Sequence, residues 1–202
     1  MNKFISFVAT LLFVFSVQLN AAVMGPDELV KKTSDQVLTT LEKNKEVYKK
    51  DPDQIYTLVD EIILPHLDFK AMSQLALGKH WKSANEEQRE KFTSVFKTML
   101  IRTYSKSLTE YSGQQIEYLP YTPEAGQKIV MIKTQIKQDS GPAIPIDYRL
   151  RIKNDTWKVF DIKIDGISLV TNYRNSFNAE IREVGINGLI ERMNDKYKKT
   201  TS

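Results

Sequence analysis

Residues 144–164 read IPIDYRLRIKNDTWKVFDIKI, and the alternation in this stretch decides the fold class. Apolar side chains occupy every second position of its first half, and proline and charged side chains lie between them. A period of two is typical of a strand with one apolar face. Asn154-Asp155 predicts a turn, after which residues 157–165 predict a second strand. On that strand we expect one face to carry Phe160, Ile162 and Ile164.

The alternation extends from this stretch toward the N-terminus. Residues 128–138 predict a strand with one face made of Val130, Ile132, Thr134 and Ile136. The turn signal Asp139-Ser140-Gly141-Pro142 joins this strand to the next, so the two predict a hairpin. A weaker strand at 116–119 is expected to start the sheet, which gives an antiparallel arrangement of about four strands.

Helical spacing dominates the chain before the sheet. Between residues 26 and 112, apolar side chains recur three or four positions apart. Asp68 is expected to cap a short helix that ends at Gly78. Ser83 and Glu86 form an S-x-x-E capping box ahead of a long helix. The apolar stripe of that long helix includes Phe96, Leu100 and Tyr104.

After the sheet, the chain returns to helix at 168–198. Ser168 is predicted as the N-cap and Gly185 as a break, and the apolar stripe includes Val170, Tyr173 and Phe177. The fold class is therefore α+β, with a twisted antiparallel sheet cradled by helices and an N-terminal helical portion. We expect one domain over 23–202, with helices at 26–112, the sheet at 115–165 and C-terminal helices at 168–198.

The first 22 residues, MNKFISFVATLLFVFSVQLNAA, have the layout of a secretory signal peptide. Lys3 precedes an apolar run at 4–17, and the small residues Ala21 and Ala22 follow it. The run is shorter than the roughly 20 apolar residues that a membrane helix needs. The sequence therefore predicts a soluble, exported protein cleaved near Ala21 or Ala22, with an uncleaved membrane anchor as the alternative.

Composition excludes several kinds of site. The chain has no cysteine, so zinc–thiolate centres, thiol nucleophiles, disulfides and cysteine-linked haem are ruled out. Its net charge is +4, from 29 basic and 25 acidic residues spread along the chain. Because the positive charge is not clustered, a nucleic-acid interface is not favoured.

Candidate catalytic residues are few. The two histidines, His66 and His80, lack metal-ligand spacing, and none of the common nucleophile, phosphate-loop or dinucleotide motifs occurs. Asp161 and Asp165 share strand parity with Val159, so a pocket could place them as acid and base. A solvated sheet face is the favoured interpretation of both carboxylates. Apolar periodicity is stronger, but it does not distinguish a filled core from one hollowed around a ligand.

Two stretches, 69–111 and 157–193, resemble the MlaC family, also called the toluene-tolerance family. The matching elements are Leu77-Gly78 with Trp81 and Ser83, Gln88-Arg89 with Phe92 and Phe96, Tyr104, Asp165-Gly166-Ile167-Ser168, Tyr173-Arg174 with Phe177, and Gly185-Ile186-Asn187-Gly188-Leu189. Their order and spacing together are specific, and with the intervening strands they cover nearly the whole chain after residue 22.

The resemblance implies an NTF2-like fold and a deep apolar pocket that takes both acyl chains of a phospholipid, with the headgroup toward solvent. It implies a periplasmic carrier with no catalytic residue, no metal and no cofactor other than its phospholipid cargo. A shuttle with a short path across the periplasm is most simply a monomer, although the sequence leaves the oligomeric state open. The implied partners are an inner-membrane ABC transporter bearing an MCE-domain protein, and an outer-membrane lipoprotein with a porin. The implied role is to maintain outer-membrane lipid asymmetry.

For such a pocket we expect a lining drawn from the long helix, the sheet and the C-terminal helix. The predicted lining residues are Phe96, Leu100, Tyr104, Val130, Ile132, Ile146, Tyr148, Leu150, Phe160, Ile162, Ile164, Val170, Tyr173 and Phe177. Arg149 and Arg174 are candidates for the headgroup phosphate, because a guanidinium pairs with phosphate through two hydrogen bonds.

Two alternatives remain open from the sequence. One is a small enzyme with an NTF2-like pocket that uses Asp161 or His80. The other is a periplasmic chaperone or adaptor that holds an apolar protein segment.

Overall fold

A computed structural model describes residues 24–138 and 140–197. The predicted signal peptide lies outside these residues, as does Asp139 of the predicted turn. The helices are α1 (Pro26–Lys43), α2 (Lys45–Lys50), α3 (Ile55–Leu58), α4 (Phe69–Leu77), α5 (His80–Ser83), α6 (Glu86–Thr109) and α7 (Leu169–Tyr197). Around α3 lie a 3-10 turn at Pro52–Gln54, a π-helical turn at Val59–Ile63 and a second 3-10 turn at Leu64–His66.

Five strands form one antiparallel sheet, in the order in which they follow along the chain. They are β1 (Ile116–Tyr118), β2 (Ile129–Ile136), β3 (Ile144–Lys153), β4 (Thr156–Ile164) and β5 (Ile167–Ser168). Asn154 and Asp155 make the β3–β4 turn with φ of 49° and 55°, a left-handed backbone that Asn and Asp tolerate. The predicted α+β class is confirmed, and the short β5 is the strand beyond the expected four.

A bulge in β4 changes which side chains face the core. Arg149 pairs with Asp161 and Leu150 pairs with Val159, so Phe160 is the extra residue. An extra residue reverses side-chain parity beyond it. Val159 therefore packs in one cluster with Ile162, while the ring centroid of Phe160 lies 4.8 Å from the Arg149 guanidinium on the other side of the sheet. The prediction that Phe160 faces the same way as Ile162 is wrong, because uninterrupted alternation does not allow for a bulge.

The main helical core lies between α4, α6 and α7. Its centre is an aromatic group in which Phe92 stacks on Phe96 at 5.4 Å and Phe177 meets both rings edge-on. Tyr173 stacks on Phe177 at 5.6 Å. Helix α7 kinks at Gly185, whose φ of 72° and ψ of 174° are close to glycine-only. The predicted break at Gly185 is confirmed.

Two of the three predicted helix caps are confirmed. Asp68 accepts a hydrogen bond from the Ala71 backbone N–H at the start of α4, and Ser168 accepts one from the Thr171 N–H at the start of α7. The predicted capping box of Ser83 and Glu86 is wrong. Asn85 and Gln88 form the box two residues later, because α6 begins after the short helix α5 rather than directly after a loop.

Two buried carboxylates attach these helices to the sheet. Besides capping α4, Asp68 accepts hydrogen bonds from Arg151 (2.8 Å) and Lys153 (2.9 Å) of β3. Asp161 of β4 accepts hydrogen bonds from the Ser168 hydroxyl (2.7 Å) and from the Val170 N–H (3.3 Å) at the start of α7. The expectation that Asp161 lies on a solvated face is wrong, since its side chain is completely buried.

Candidate functional site

Helix α1 lies across one side of the sheet, which we call the inner face; it carries Val130, Ile132, Tyr148, Leu150, Val159 and Ile162. The first half of α1 contributes Leu29 and Val30 to this packing. The second half turns away, and its Val37 and Leu41 pack with the helical run at 55–62. Helix α1 is therefore shared between the sheet and the N-terminal helices.

A cavity of about 70 Å³ remains between α1 and the inner face. It is lined by Leu29, Val30, Thr33, Ser34, Ile63, His66, Leu67, Tyr148, Val159 and Ile162. We call this cavity and its walls the cleft. Most of the lining is aliphatic, and the polar groups come from α1, the 3-10 turn before α4, and β3.

Two phenols of the sheet, Tyr148 and Tyr118, lie beside α1 and are uncharged hydrogen-bond donors at physiological pH. Burial raises the pKa of Tyr148, and it raises the pKa of Tyr118 to about 12, so both phenols keep their protons. The Ser34 hydroxyl lies within hydrogen-bonding reach of both phenols. Tyr118 also donates to Asp35 at 3.1 Å, in an exposed contact between α1 and the sheet.

The inner face continues past the cleft as a set of isoleucines. Strand register brings together Ile116, Ile136 and Ile144 in one row, and Ile146, Ile164 and Ile167 in the next. We call these six residues the isoleucine shelf. None is fully buried; Ile144 is 37% exposed and Ile167 is 61% exposed, although both face the same way as the core residues of the sheet. The shelf is an apolar surface that the protein itself only partly covers.

The structure divides the predicted lining residues into groups. Val130, Ile132, Tyr148, Leu150 and Ile162 lie in the sheet cluster beneath α1, and Ile146 and Ile164 belong to the isoleucine shelf. Phe96, Leu100, Tyr104, Val170, Tyr173 and Phe177 lie instead in the core of α4, α6 and α7. Phe160 lies on the outer side of the sheet. Of the predicted lining residues, Tyr148 and Ile162 line the cleft itself, and the other inner-face residues pack beside it or belong to the shelf. The helical ones form a separate cluster.

Both arginines predicted to meet a phosphate have partners within the protein. Arg149 stacks over Phe160 and lies 3.4 Å from the Asp161 carboxylate. The Arg174 Nε donates to the Leu75 carbonyl at 2.6 Å, near the C-terminal end of α4. A headgroup role for either residue stays a prediction.

Sequence reasoning missed much of the α1 side of the cleft. On α1, only helical spacing marked the positions of Leu29, Thr33 and Ser34. His66 was marked only by its position beside Pro65. Val30 stood out as part of an apolar stripe, but a stripe does not tell which surface covers it. Val159 was missed because the bulge reverses its parity.

A second hollow lies at the far end of α1, away from the sheet. Its volume is about 240 Å³, and it is lined by Leu41, Lys45, Tyr48, Lys49, Pro52, Leu108, Thr109 and Tyr111. Although it is larger than the cleft, it has no strand residue in its lining and is not continuous with the apolar inner face. We therefore place the candidate site at the cleft and the isoleucine shelf.

The candidate catalytic groups have structural partners. The oxygens of Asp161 accept hydrogen bonds from β5 and α7, and His80 Nε2 lies 2.9 Å from the side-chain oxygen of Asn178. Over residues 24–138 and 140–197, no cluster of three acidic or histidine side chains has the arrangement to hold a metal ion. In the same residues, no helix is long and apolar enough to cross a membrane.

Comparison with known proteins gives a consistent result. A family model described as MlaC protein matches residues 31–195. The chain is 27% identical over 197 residues to the intermembrane phospholipid transport system binding protein MlaC of Haemophilus influenzae, covering 96% of this chain and 92% of that protein. It is 28% identical over 168 residues to the toluene tolerance protein ttg2D of Pseudomonas putida, covering 83% and 78%.

A solved structure agrees with the fold. The phospholipid-binding protein from Ralstonia solanacearum, determined in complex with a phospholipid, superposes with a TM-score of 0.79 at 30% sequence identity. The match covers 87% of this chain and 98% of the Ralstonia chain. Because a family model spans most of the described residues and a solved relative shares the fold, this chain belongs to the MlaC family.

Proposed function

We propose that this protein is a carrier that binds one diacyl phospholipid with its acyl chains along the inner face of the sheet. The observation that carries the proposal is the partly exposed isoleucine shelf, which continues an apolar cleft in a fold shared with a phospholipid-bound relative. From Val159 to Ile164 the inner face extends about 15 Å at the rise of a strand. That length accommodates a large part of an acyl chain.

Simple energetics favour a carrier over a site that holds its ligand permanently. Each methylene removed from water is worth about 0.8 kcal/mol, so two acyl chains in water cost on the order of tens of kcal/mol. A cleft that matches the hydrocarbon environment of a bilayer makes transfer between membrane and protein nearly neutral. Partner complexes can then decide whether the carrier loads or unloads.

The cleft in this structure is narrow. Its volume of about 70 Å³ is well below the roughly 300–1,000 Å³ of ordinary ligand pockets. Loading therefore requires the first half of α1 to lift from the inner face. Leu29 and Val30 hold it there by apolar contacts. The polar contacts of α1 with the sheet come from Lys31, Ser34 and Asp35 and go to the phenols of Tyr118 and Tyr148.

The name of one relative supports a proposal for the wider role. We propose that the protein works in the periplasm, after removal of the signal peptide, as a monomer. Its partners would be an inner-membrane MCE-domain ABC transporter and an outer-membrane lipoprotein with a porin, and its role would be to maintain outer-membrane lipid asymmetry. The relative named as part of an intermembrane phospholipid transport system supports this assignment.

We also propose that binding occurs without catalysis. The two groups that an enzyme would need, Asp161 and His80, are bonded to structural partners and do not line the cleft. The cargo is the ligand, and no further cofactor is invoked.

A bulky residue in the cleft tests the site directly. Ser34 of α1 lines the cleft, and Thr39 lies on the exposed side of the same helix. We expect Ser34→Trp to reduce uptake of radiolabelled phosphatidylglycerol from vesicles at least about tenfold, because the indole fills the space that an acyl chain needs. The matched control Thr39→Trp should bind as the wild type does.

Circular dichroism and the urea midpoint of both variants establish that they are folded. Equal lipid uptake by folded Ser34→Trp and by the wild type would show that the acyl chains bind elsewhere.

A further inference from the structure

The edge of the cleft beside the 3-10 turn Leu64–His66 carries a group of two lysines and one histidine. His66 lines the cleft, and Lys158 of β4 donates to the carbonyl of the neighbouring Pro65 at 2.6 Å. Lys32 of α1 precedes Thr33, another lining residue. Both lysines lie close enough to His66 to act on its charge.

The charge of this group is not balanced by acids. Among the described residues, neither Lys32 nor Lys158 forms an ion pair with a carboxylate, and His66 makes no hydrogen bond. The charged groups acting on His66 are Lys158 from β4 and Lys32 from α1, and both are positive. The phenol of Tyr148, from β3, is the remaining titratable group in the lining.

The position of these side chains relative to the apolar surface suits one kind of ligand. Leu67 pairs with Val159 at one end of the cleft, so His66 lies at the edge of β4. The isoleucine shelf lies in the other direction along β4, beyond Ile162. A molecule with an anionic group at one end and hydrocarbon at the other would meet cations first and the apolar shelf further on.

We propose that Lys32, His66 and Lys158 form the binding site for the phosphodiester group of the bound phospholipid. This inference rests on the proposed function and adds the location and chemistry of the headgroup end. Two ammonium groups and an imidazole provide several donors and the charge that a phosphodiester needs. The acyl chains then extend from this edge along the inner face toward the isoleucine shelf.

Burial and the two lysines lower the pKa of His66 in the empty protein. A bound phosphodiester would oppose this effect, because a nearby negative charge favours the imidazolium form. The chain has only two histidines, so their imidazole signals are easy to assign by NMR. His80, which is hydrogen-bonded to Asn178, serves as the internal reference.

The test is a pH titration of both histidines in the full mature protein, delipidated and then loaded with dipalmitoyl phosphatidylglycerol or with dipalmitoylglycerol. The two lipids have the same tails, but the second has no phosphate. We expect phosphatidylglycerol to raise the pKa of His66 by about one unit and dipalmitoylglycerol to leave it unchanged.

A third arm adds inorganic phosphate to the empty protein and should leave the pKa of His66 unchanged. If inorganic phosphate alone raises it, the site takes a free anion and the proposal is overturned. If phosphatidylglycerol binds without shifting His66, the headgroup lies elsewhere, and the proposal fails while the proposed function stands. If neither lipid binds, the proposed function itself fails.

A lysine variant gives an independent measure. Lys32→Gln should lower the affinity for phosphatidylglycerol relative to dipalmitoylglycerol about threefold, the effect of one partly exposed charge contact. Lys43→Gln removes the same charge at the far end of α1 and should leave the ratio unchanged. Equal ratios in Lys32→Gln and Lys43→Gln would contradict the assignment of Lys32.

Discussion

At the residue scale, Asp68 combines two roles, a helix cap and an ion-pair partner of the sheet. It caps α4 and accepts hydrogen bonds from two cations of β3, with its own side chain fully buried. Burial acts to raise the pKa of Asp68, but hydrogen bonds from Lys153, Arg151 and the Ala71 N–H outweigh it, so the pKa is lowered. The charged form is therefore the one that stabilises the fold.

Replacing this carboxylate should cost stability in two steps. Asp68→Asn keeps an acceptor for the Ala71 N–H but removes the charge. We expect it to lower the free energy of unfolding by about 2 kcal/mol. The loss is no larger because Arg151 and Lys153 are partly exposed and their charges can be hydrated. Asp68→Ala should cost about 1 kcal/mol more, because the cap is lost as well. Urea unfolding at neutral pH measures both.

Asp165→Asn is the control, since Asp165 is exposed in a left-handed turn that Asn also tolerates. Equal stability of Asp68→Asn and Asp165→Asn would refute the role given to the Asp68 charge.

The same residue sets a pH dependence. Because the folded pKa of Asp68 lies below its ordinary value of 3.8, the charge contributes its full stabilisation above that pH. The contribution is lost as the pH falls through the lowered folded pKa. The difference in free energy of unfolding between the wild type and Asp68→Asn should therefore shrink in acid, and a constant difference down to pH 2 would contradict it.

At the element scale, the bulge in β4 and the kink in α7 determine which way the side chains of these elements point. The bulge puts Val159 rather than Phe160 on the inner face, and so determines which side chain of β4 lines the cleft. Ile144 and Met131 are matched for a test, since they are 37% and 39% exposed on opposite faces of neighbouring strands.

Ile144→Asp should reduce phospholipid uptake from vesicles several-fold, because it places a charge on the isoleucine shelf. Met131→Asp places the same charge on the outer face and should leave uptake unchanged. The urea midpoints of the two variants should be similar, so that the comparison concerns binding. Equal uptake by both variants would remove the shelf from the site.

Beside the kink of α7, the backbone of Gly188 lies close to the Val184 side chain. A Cβ there would lie 2.7 Å from the Cβ and 2.8 Å from the Cγ2 of Val184, which is closer than real Cβ contacts. Gly188→Ala should therefore destabilise the protein by about 2 kcal/mol. In a Val184→Gly background the clash is gone, and the same change should be neutral or slightly stabilising, since Ala favours helix over Gly.

A double-mutant cycle by urea unfolding measures this coupling. Additive effects of Gly188→Ala and Val184→Gly would show that the close approach across the kink is not what requires glycine at 188.

Much of the element order was predictable from local pattern. Alternation located the long strands, and three-to-four spacing located α6 and α7, because both periods are imposed by the backbone itself. The bulge at Phe160 and the capping box at Asn85 were not predictable, because each depends on a neighbour that local pattern does not reveal. Alternation predicted Tyr148 and Ile162 of the cleft, whereas Val159 depended on the bulge and the α1 part depended on tertiary packing.

At the scale of the whole molecule, helices α4 and α7 are attached to the sheet more firmly than the first half of α1, which can lift from it. Asp68 and Asp161 attach α4 and α7 to the sheet through buried hydrogen bonds. The first half of α1 meets the sheet through apolar packing and through polar contacts of Lys31, Ser34 and Asp35 with Tyr118 and Tyr148. Among the described residues, none of these contacts involves a buried carboxylate. We therefore expect the N-terminal half of α1 to move when a lipid enters.

Spin labels can follow this movement, because the chain has no native cysteine. The distance between labels on Glu28→Cys of α1 and Lys133→Cys of the outer sheet face should lengthen on loading with phosphatidylglycerol. The distance between Asn175→Cys of α7 and Lys133→Cys should stay the same. A change in the second pair without a change in the first would show that the sheet, rather than α1, moves.

The most direct test of the central claim is native mass spectrometry of the protein purified from cells without detergent, followed by lipid extraction and identification. We expect a one-to-one complex with a diacyl phospholipid, which is lost in folded Ser34→Trp and kept in Thr39→Trp. Folded wild-type protein whose mass equals that of the bare chain would contradict it, and would mean that the space between α1 and the sheet is ordinary filled core.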